Sequence, residues 1–369
     1  MNKSDLLITT ATDNPLVGIN YFAGWWRETP NKWQDCRDSN QIAADWRGKY
    51  PERVPMYGCF IDQPTVDSDI INASAYGGDY FQILWYPAAC GIKSNEPHAE
   101  RLNDGLRFFM NSKQNDRMKF TVEFCNHPPF SLESREMWDE AVGIWCEAFS
   151  HPSYLKPRGK ALFKIHGHDY FIRQCGGLPE AGRKLEELRT SVHDRAGLEM
   201  LITTGITAGD IPERMKNEMD GIDFFSTYMD VPPDEPAAAD YPYERLFDFT
   251  AKMAEGFGGA GIPYQPYLPV GWNPKPTYDP RPGYSLPTKT QITESAKKLM
   301  EIIDKYDCLG VSEKGKNRTE SFTVYSWNEF GEGGFLAPTI IGGFDKLEGL
   351  RDALAFSRET PAKSAPKRG

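Results

Sequence analysis

Glu329 and Glu332 stand three residues apart in Ser326-Trp327-Asn328-Glu329-Phe330-Gly331-Glu332-Gly333-Gly334. The run before them, Phe322-Thr323-Val324-Tyr325, is apolar, β-branched and aromatic, and reads as a strand. Two carboxylic acids therefore emerge together where a strand ends. Trp327 and Phe330 can shield them from water, and desolvation raises the pKa of a carboxyl group. One member of such a pair can hold a proton near neutral pH while the other stays ionised. The glycines around Glu332 let the loop turn tightly and let a ligand approach the backbone. Cleavage of a glycosidic bond needs this combination of one carboxylic acid and one carboxylate. The plainer alternative is a surface loop with two solvated acids, since perturbed acid pairs are often structural. The strand end and the neighbouring Trp favour the catalytic reading.

The scaffold that would position this loop is an alternation of strands and helices. Strand candidates are 16–22, 79–86, 119–124, 161–165, 198–204, 222–228, 262–268 and 322–327. Helical spacing falls at 66–76, 96–111, 134–150, 178–195, 211–219, 243–257, 291–306 and 346–357. Such alternation gives a parallel sheet with right-handed crossovers, and eight repeats close it into a single-domain (β/α)8 TIM barrel with long βα loops. No Gly-rich fingerprint opens the first helix, which argues against a dinucleotide-binding fold. The loop after the first strand runs to about Pro64, a length that is usually functional. Residues 1–14 read as a polar lead-in, 15–360 as the barrel and 361–369 as a disordered tail. Chemistry on this fold sits at the C-terminal strand ends. Those ends carry Tyr21, Trp25, Trp85, Tyr86, Glu123, Asn126, His166, Tyr228, Trp272 and Asn328, all expected to bind substrate around the acid pair.

Composition narrows the partners. The 369 residues are 40% apolar and 25% charged, with no apolar run long enough to span a bilayer. Acids outnumber bases 52 to 42, and no basic cluster stands outside the Lys363 to Arg368 tail, which argues against nucleic acid. The 9 Trp and 17 Tyr cluster beside Gly, Pro and Asn at strand ends, where platforms for an oligosaccharide or polysaccharide would lie. Seven cysteines are widely spaced with no Cys-x-x-Cys pair, so no structural zinc site is expected and a reducing compartment suits them. The N-terminus lacks the apolar core of a signal peptide and reads as cytoplasmic, as would an exported enzyme already trimmed of its signal.

Trp327-Asn328-Glu329-Phe330-Gly331-Glu332-Gly333, the downstream Pro338-Thr339, and Gly343 with its following helix resemble the C-terminal signature of glycoside hydrolase family 99 and family 99-like proteins. Val17-Gly18-Ile19-Asn20-Tyr21-Phe22-Ala23-Gly24-Trp25 is similar to that group's first strand, and Pro51-Glu52-Arg53-Val54-Pro55-Met56-Tyr57-Gly58 and Trp85-Tyr86 to its next landmarks. The resemblance implies a (β/α)8 glycosidase acting on α-linked, mannose-type sugars. It implies that Glu329 deprotonates the sugar's own 2-hydroxyl to form a 1,2-anhydro sugar, while Glu332 serves as acid and then base. The family carries Trp and His where this chain has Phe330 and Gly331, a departure that bears on substrate identity and linkage.

His166-Gly167-His168 could place two imidazoles on one side of a strand end, but six histidines and no third ligand make a metal centre unexpected. No cofactor is expected. Glu123 reads equally well as substrate-binding or structural. Trp85 and Trp272 could be core, though Trp272 lies in a Gly-Asn-Pro loop that favours sugar stacking; Asp223 and Glu244 read as ordinary structural acids. Two other functions remain consistent with the pattern: a glycosyltransferase of surface polysaccharide synthesis, and a non-catalytic carbohydrate-binding barrel. A nucleotide-sugar donor would call for a basic diphosphate site or a metal-binding acid pair, and neither is evident.

Overall fold

A computed structural model describes residues 14–34, 45–87, 98–207, 212–233, 235–236, 239–277 and 279–359. The lead-in up to residue 13 and the tail from residue 360 lie outside the described residues. The strands form because each is a short apolar or β-branched run bounded by turn residues. They are β1 (Leu16–Tyr21), β2 (Tyr80–Trp85), β3 (Lys119–Phe124), β4 (Ala161–Ile165), β5 (Met200–Gly205), β6 (Phe224–Ser226), β7 (Tyr264–Gln265), β8 (Tyr267–Pro269) and β9 (Ser321–Tyr325). All nine pair in parallel, in the order β7-β6-β5-β4-β3-β2-β1-β9-β8.

The sheet's two ends are one interrupted strand. Pro266 has no N–H to give a ladder, so it breaks the predicted seventh strand in two. The first half pairs with β6 and the second with β9. The chain therefore closes the expected (β/α)8 barrel across the proline.

Helices cover the outside: α1 (Gln63–Ala75), α2 (Asp104–Asn111), α3 (Arg135–Ser150), α4 (His168–Cys175), α5 (Leu178–Ala196), α6 (Pro212–Lys216), α7 (Tyr243–Ala260), α8 (Lys289–Lys305) and α9 (Asp345–Glu359). Side-chain oxygens start several of them. Asp62 accepts from the Thr65 amide, Ser134 from the Met137 amide, and Thr288 forms a capping box with Gln291. The helix expected at 96–111 is shorter: a 3-10 turn at Ala99–Asn103 precedes α2, and its first residues lie outside the described set. Helix α4 was not expected. Among the described residues, no helix is long and apolar enough to cross a membrane.

Strand residues alternate between the barrel interior and the helix layer. The outward set is apolar and makes the core. Phe124 of β3 and Phe163 of β4 both pack on Trp145 of α3, at 5.2 and 4.7 Å between ring centroids. The inward set is unusually polar. Gln82 Nε2 donates to Asn20 Oδ1 at 2.8 Å and to Glu123 Oε2 at 2.7 Å. Lys164 Nζ stands 3.3 Å from Glu123 Oε1. Asn20 is level with Gln82 across β1 and β2, and Glu123 with Lys164 across β3 and β4. A hydrogen-bonded polar layer thus spans the barrel below its C-terminal mouth.

Candidate active site

The loop carrying the acid pair is a small hairpin. The chain leaves β9 at Tyr325, and Asn328–Glu329 then pairs antiparallel with Gly334–Phe335. Ser326 pins both arms: its Oγ accepts from the Glu329 amide at 2.9 Å and donates to the Gly334 carbonyl at 2.6 Å. Asn328 ties the hairpin to the end of β1, accepting from the Phe22 amide at 2.9 Å and donating to the Phe22 carbonyl at 2.7 Å. A second loop, after β8, lies against it. The Asn273 amide donates to the Glu332 carbonyl at 2.6 Å. Gly271 has φ +132°, and a Cβ there would stand 2.4 Å from the Gly333 carbonyl oxygen, so this close approach requires glycine.

The two loops wall a cleft at the C-terminal end of the barrel. Glu329 and Glu332 both line it, with Trp25, Tyr86, His166, Tyr228 and Trp272. Each acid is met by a tyrosine. The Tyr228 hydroxyl donates to Glu329 Oε1 at 2.6 Å, and the Tyr325 hydroxyl donates to Glu332 Oε2. Burial, with the nearby glutamate charges, holds both phenols well above their ordinary pKa, so they remain donors. Glu329 is buried and Glu332 half-buried. Burial pushes Glu329 up to about 8, and the charge of Glu332 adds to the effect. Burial also raises Glu332, but its Tyr325 hydrogen bond and the Arg281 guanidinium offset part of that. Both carboxyl groups are thus held above their ordinary range, and the pair can keep a proton near neutral pH. Arg281 packs 4.2 Å over the Trp272 ring, close enough to favour a charged Glu332.

His166 is the second polar feature of the cleft. Its Nδ1 lies 2.7 Å from Glu123 Oε1, and its ring packs 5.0 Å from that of Tyr228. Burial alone would raise Glu123. The Lys164 ammonium and His166 outweigh it and hold the carboxyl below its ordinary range. A fixed carboxylate under a ring nitrogen orients the imidazole and leaves its other nitrogen toward the cleft.

Not every expected residue reaches the mouth. Tyr21, Trp85, Asn126 and Asn328 do not line the cleft. Strand alternation explains the first two. Asn20 and Phe22 point inward, so Tyr21 points out, and its hydroxyl donates to Asp69 Oδ2 of α1 at 2.8 Å. Leu84 and Tyr86 line the cleft, so Trp85 packs outward on Trp145 at 5.2 Å. Asn126 is buried, accepting from the Gly167 amide and donating to the Gly167 carbonyl at 2.8 and 2.9 Å. Asn328 spends its amide on Phe22. Glu123 lies one layer below the cleft and meets it through His166.

Other residues of the cleft were not singled out from the sequence: Phe22, Lys32, His127, Phe130 and Arg281. His127 follows Asn126 directly after a strand, which was a usable signal. Lys32 and Arg281 sit in irregular loops that carry none. His168 turns away from His166 into α4, with Nε2 2.8 Å from Glu218 Oε2. Its ligand atom falls within 4.8 Å of those of Asp169 and Glu218. The Arg214 guanidinium bonds both of those carboxylates, which supplies the positive charge there. The five described cysteines, Cys59, Cys125, Cys146, Cys175 and Cys308, are free thiols.

The sequence matches no family profile and no curated protein. Solved structures do resemble it. One is a glycoside hydrolase-like protein, with TM-score 0.58 and 12% identity over 94% of this chain and 96% of that one. Another is the GH99 endo-α-mannosidase from Bacteroides thetaiotaomicron, with TM-score 0.58 and 12% identity over 95% and 100% of the two chains. The architecture of this chain is thus a single (β/α)8 barrel of a kind that glycoside hydrolases use, and at that identity the likeness is one of fold.

Proposed function

We propose that this protein is a glycoside hydrolase cleaving α-linked, mannose-type glycans with retention of configuration. The observation that carries the reading is the pair of raised, tyrosine-bound carboxyl groups, Glu329 and Glu332, in an aromatic cleft at the barrel mouth. Trp25, Tyr86 and Trp272 line the cleft with ring atoms, and His166 and Tyr228 offer polar atoms. In the proposed first step Glu329 takes the proton of the sugar 2-hydroxyl, whose oxygen attacks C1. Glu332 gives its proton to the departing oxygen as the glycosidic bond breaks. A 1,2-anhydro sugar results. In the second step Glu332 removes a proton from water, which attacks C1 and opens the ring, and Glu329 returns its proton to O2. Two inversions give net retention.

The chemistry needs one proton on the pair. A sugar 2-hydroxyl donating to Glu329 favours its charged form, which leaves that proton to Glu332. Glu332 is the more accessible acid, as a group that must serve both leaving group and water should be. The test is a screen of α-mannan fragments and other α-glycans with product analysis, run beside Glu329→Gln and Glu332→Gln. Cleavage by the native protein and its loss in both variants supports the reading. Binding without cleavage would make the barrel a carbohydrate-binding protein instead.

A further inference from the structure

Arg53 lies outside the cleft and none of the chemistry above uses it, yet it is 2% exposed. It ends the 3-10 turn Pro51–Arg53 in the long segment after β1. Its guanidinium enters the seam between the two loops that wall the cleft. Nη1 donates to the carbonyls of Asn273 at 2.9 Å, Phe330 at 3.2 Å and Gly331 at 3.4 Å. Nη2 donates to Asn273 Oδ1 at 3.2 Å. Glu52 is the nearest carboxylate, at 3.6 Å from Nε, and the Tyr50 ring lies 4.8 Å from the guanidinium carbon. Lys346 of α9 repeats the arrangement at the other end of the seam, with Nζ donating to the carbonyls of Val270 and Phe335, each at 2.9 Å.

Both side chains bridge the same two segments. One is 270–273, which carries Trp272. The other is 330–335, which carries Glu332. Burying a guanidinium is costly unless hydrogen bonds satisfy it. Here they go to the Asn273 side chain and to backbone carbonyls, including those of the two residues between the acids. A planar fork holds donors on separate nitrogens in one fixed geometry, which a single ammonium cannot do. Apolar packing would fill this seam, but it would not fix the direction of the peptide planes.

We infer that Arg53 is a positioning residue for the acid pair: it locks the Trp272 loop to the Glu329–Glu332 hairpin, so that the sugar platform and the acid keep a fixed relation. Lys346 is the second fastener of the same seam. The inference rests on the glycosidase reading for its kinetic consequence, but not for its structural one.

The experiment uses Arg53→Lys, which keeps charge and loses the fork, and Asn273→Ala, which removes one acceptor without orphaning a buried charge. Hydrogen exchange and glycan cleavage are measured on both and on the native protein. We expect amides of 271–273 and 330–333 to exchange at least about tenfold faster in Arg53→Lys, while those of β1 to β5 are unchanged. We expect kcat to fall about 10- to 100-fold with KM within about twofold, because misplacing a catalytic group costs rate on that scale. Asn273→Ala should show the same pattern more weakly. Unchanged exchange in the two segments overturns the inference. So does a uniform rise across the barrel, or faster loop exchange with unaltered kcat. A native protein that cleaves none of the glycans refutes the proposed activity, and the exchange result still decides whether Arg53 locks the loops.

Discussion

The Tyr228 hydroxyl reaches across the barrel mouth to Glu329 Oε1 at 2.6 Å, joining the end of β6 to the hairpin after β9. That bond favours the charged form of a carboxyl group whose burial favours the neutral one. Tyr228→Phe should therefore push the Glu329 pKa higher still. A hydrogen bond to a charged group is worth about 1.5–3 kcal/mol. We expect kcat/KM to fall about 10- to 100-fold, and the limb of the pH profile that reports Glu329 to move toward alkaline pH. A pH series of glycan cleavage, or a carboxyl NMR titration, checks this. An unmoved or acid-shifted limb contradicts it.

Trp85 and Trp272 should part company on heating. Trp85 is core, wedged against Trp145 and Phe124, and its truncation should cost about 3–5 kcal/mol. Trp272 is also almost fully buried, but it lies on the cleft wall against Tyr325 and beneath Arg281. Trp272→Ala should weaken glycan binding at temperatures where the variant is fully folded. Trp85→Ala, while folded, should bind normally. Thermal unfolding and a binding isotherm on each variant decide. Normal binding by folded Trp272→Ala would remove it from the substrate platform.

The parity of the strands was in the sequence. Once Asn20, Gln82, Glu123 and Lys164 are recognised as a polar barrel layer, period-2 alternation sends Phe22, Leu84, Tyr86 and His166 to the mouth. The same rule sends Tyr21 and Trp85 to the helices. Strand ends alone do not distinguish the two sets. The Glu pair was legible because its acids, aromatics and glycines are contiguous. The Arg53 seam, the Tyr228 bond and the cations Lys32 and Arg281 were not. Each depends on long-range contacts, such as Tyr228 to Glu329 at 101 positions and Arg53 to Gly331 at 278, or on loops without periodicity. The break at Pro266 was readable, but its consequence was not: how the two half-strands divide their partners follows from closure of the whole barrel.

Asp69 should make stability depend on pH. Burial pushes its carboxyl up from 3.8 to about 7, against the opposing hydrogen bond from Tyr21. The folded state then binds a proton that the unfolded state has released. Stability from this group is complete below about pH 4 and is lost as pH rises toward and through 7. The loss is of order a few kcal/mol, since each pKa unit is worth about 1.4 kcal/mol. Asp69→Asn cannot ionise. Its stability relative to the native protein should rise between about pH 4 and 7 and then level off. Urea titrations across that range test the sign; a flat difference contradicts it.

Chelation should leave glycan cleavage intact. The proposed chemistry runs on two carboxyl groups, and the group His168, Asp169 and Glu218 is already engaged by Arg214. Loss of activity on chelation, restored by one divalent ion, would contradict the metal-free mechanism.

The acid and the base can be told apart by the leaving group. Glu332 must be protonated when the glycosidic oxygen departs, so Glu332→Gln should lose activity on natural glycans by about 10²–10⁴-fold. A substrate whose leaving group needs no proton should restore much of that rate. Glu329→Gln should not be rescued in this way, because the 2-hydroxyl would still lack its base. A 2-deoxy substrate should be inert for the same reason, and no ester to either glutamate should be trapped. Removing the Glu332 charge should also lower the Glu329 pKa, because that charge helps to raise it. The active form of Glu332→Gln on an activated substrate should therefore persist to lower pH than that of the native protein. Rescue of Glu329→Gln in place of Glu332→Gln would reverse the two roles. An inverted product, or a covalent glycosyl ester, would end the anhydro-sugar mechanism under either assignment.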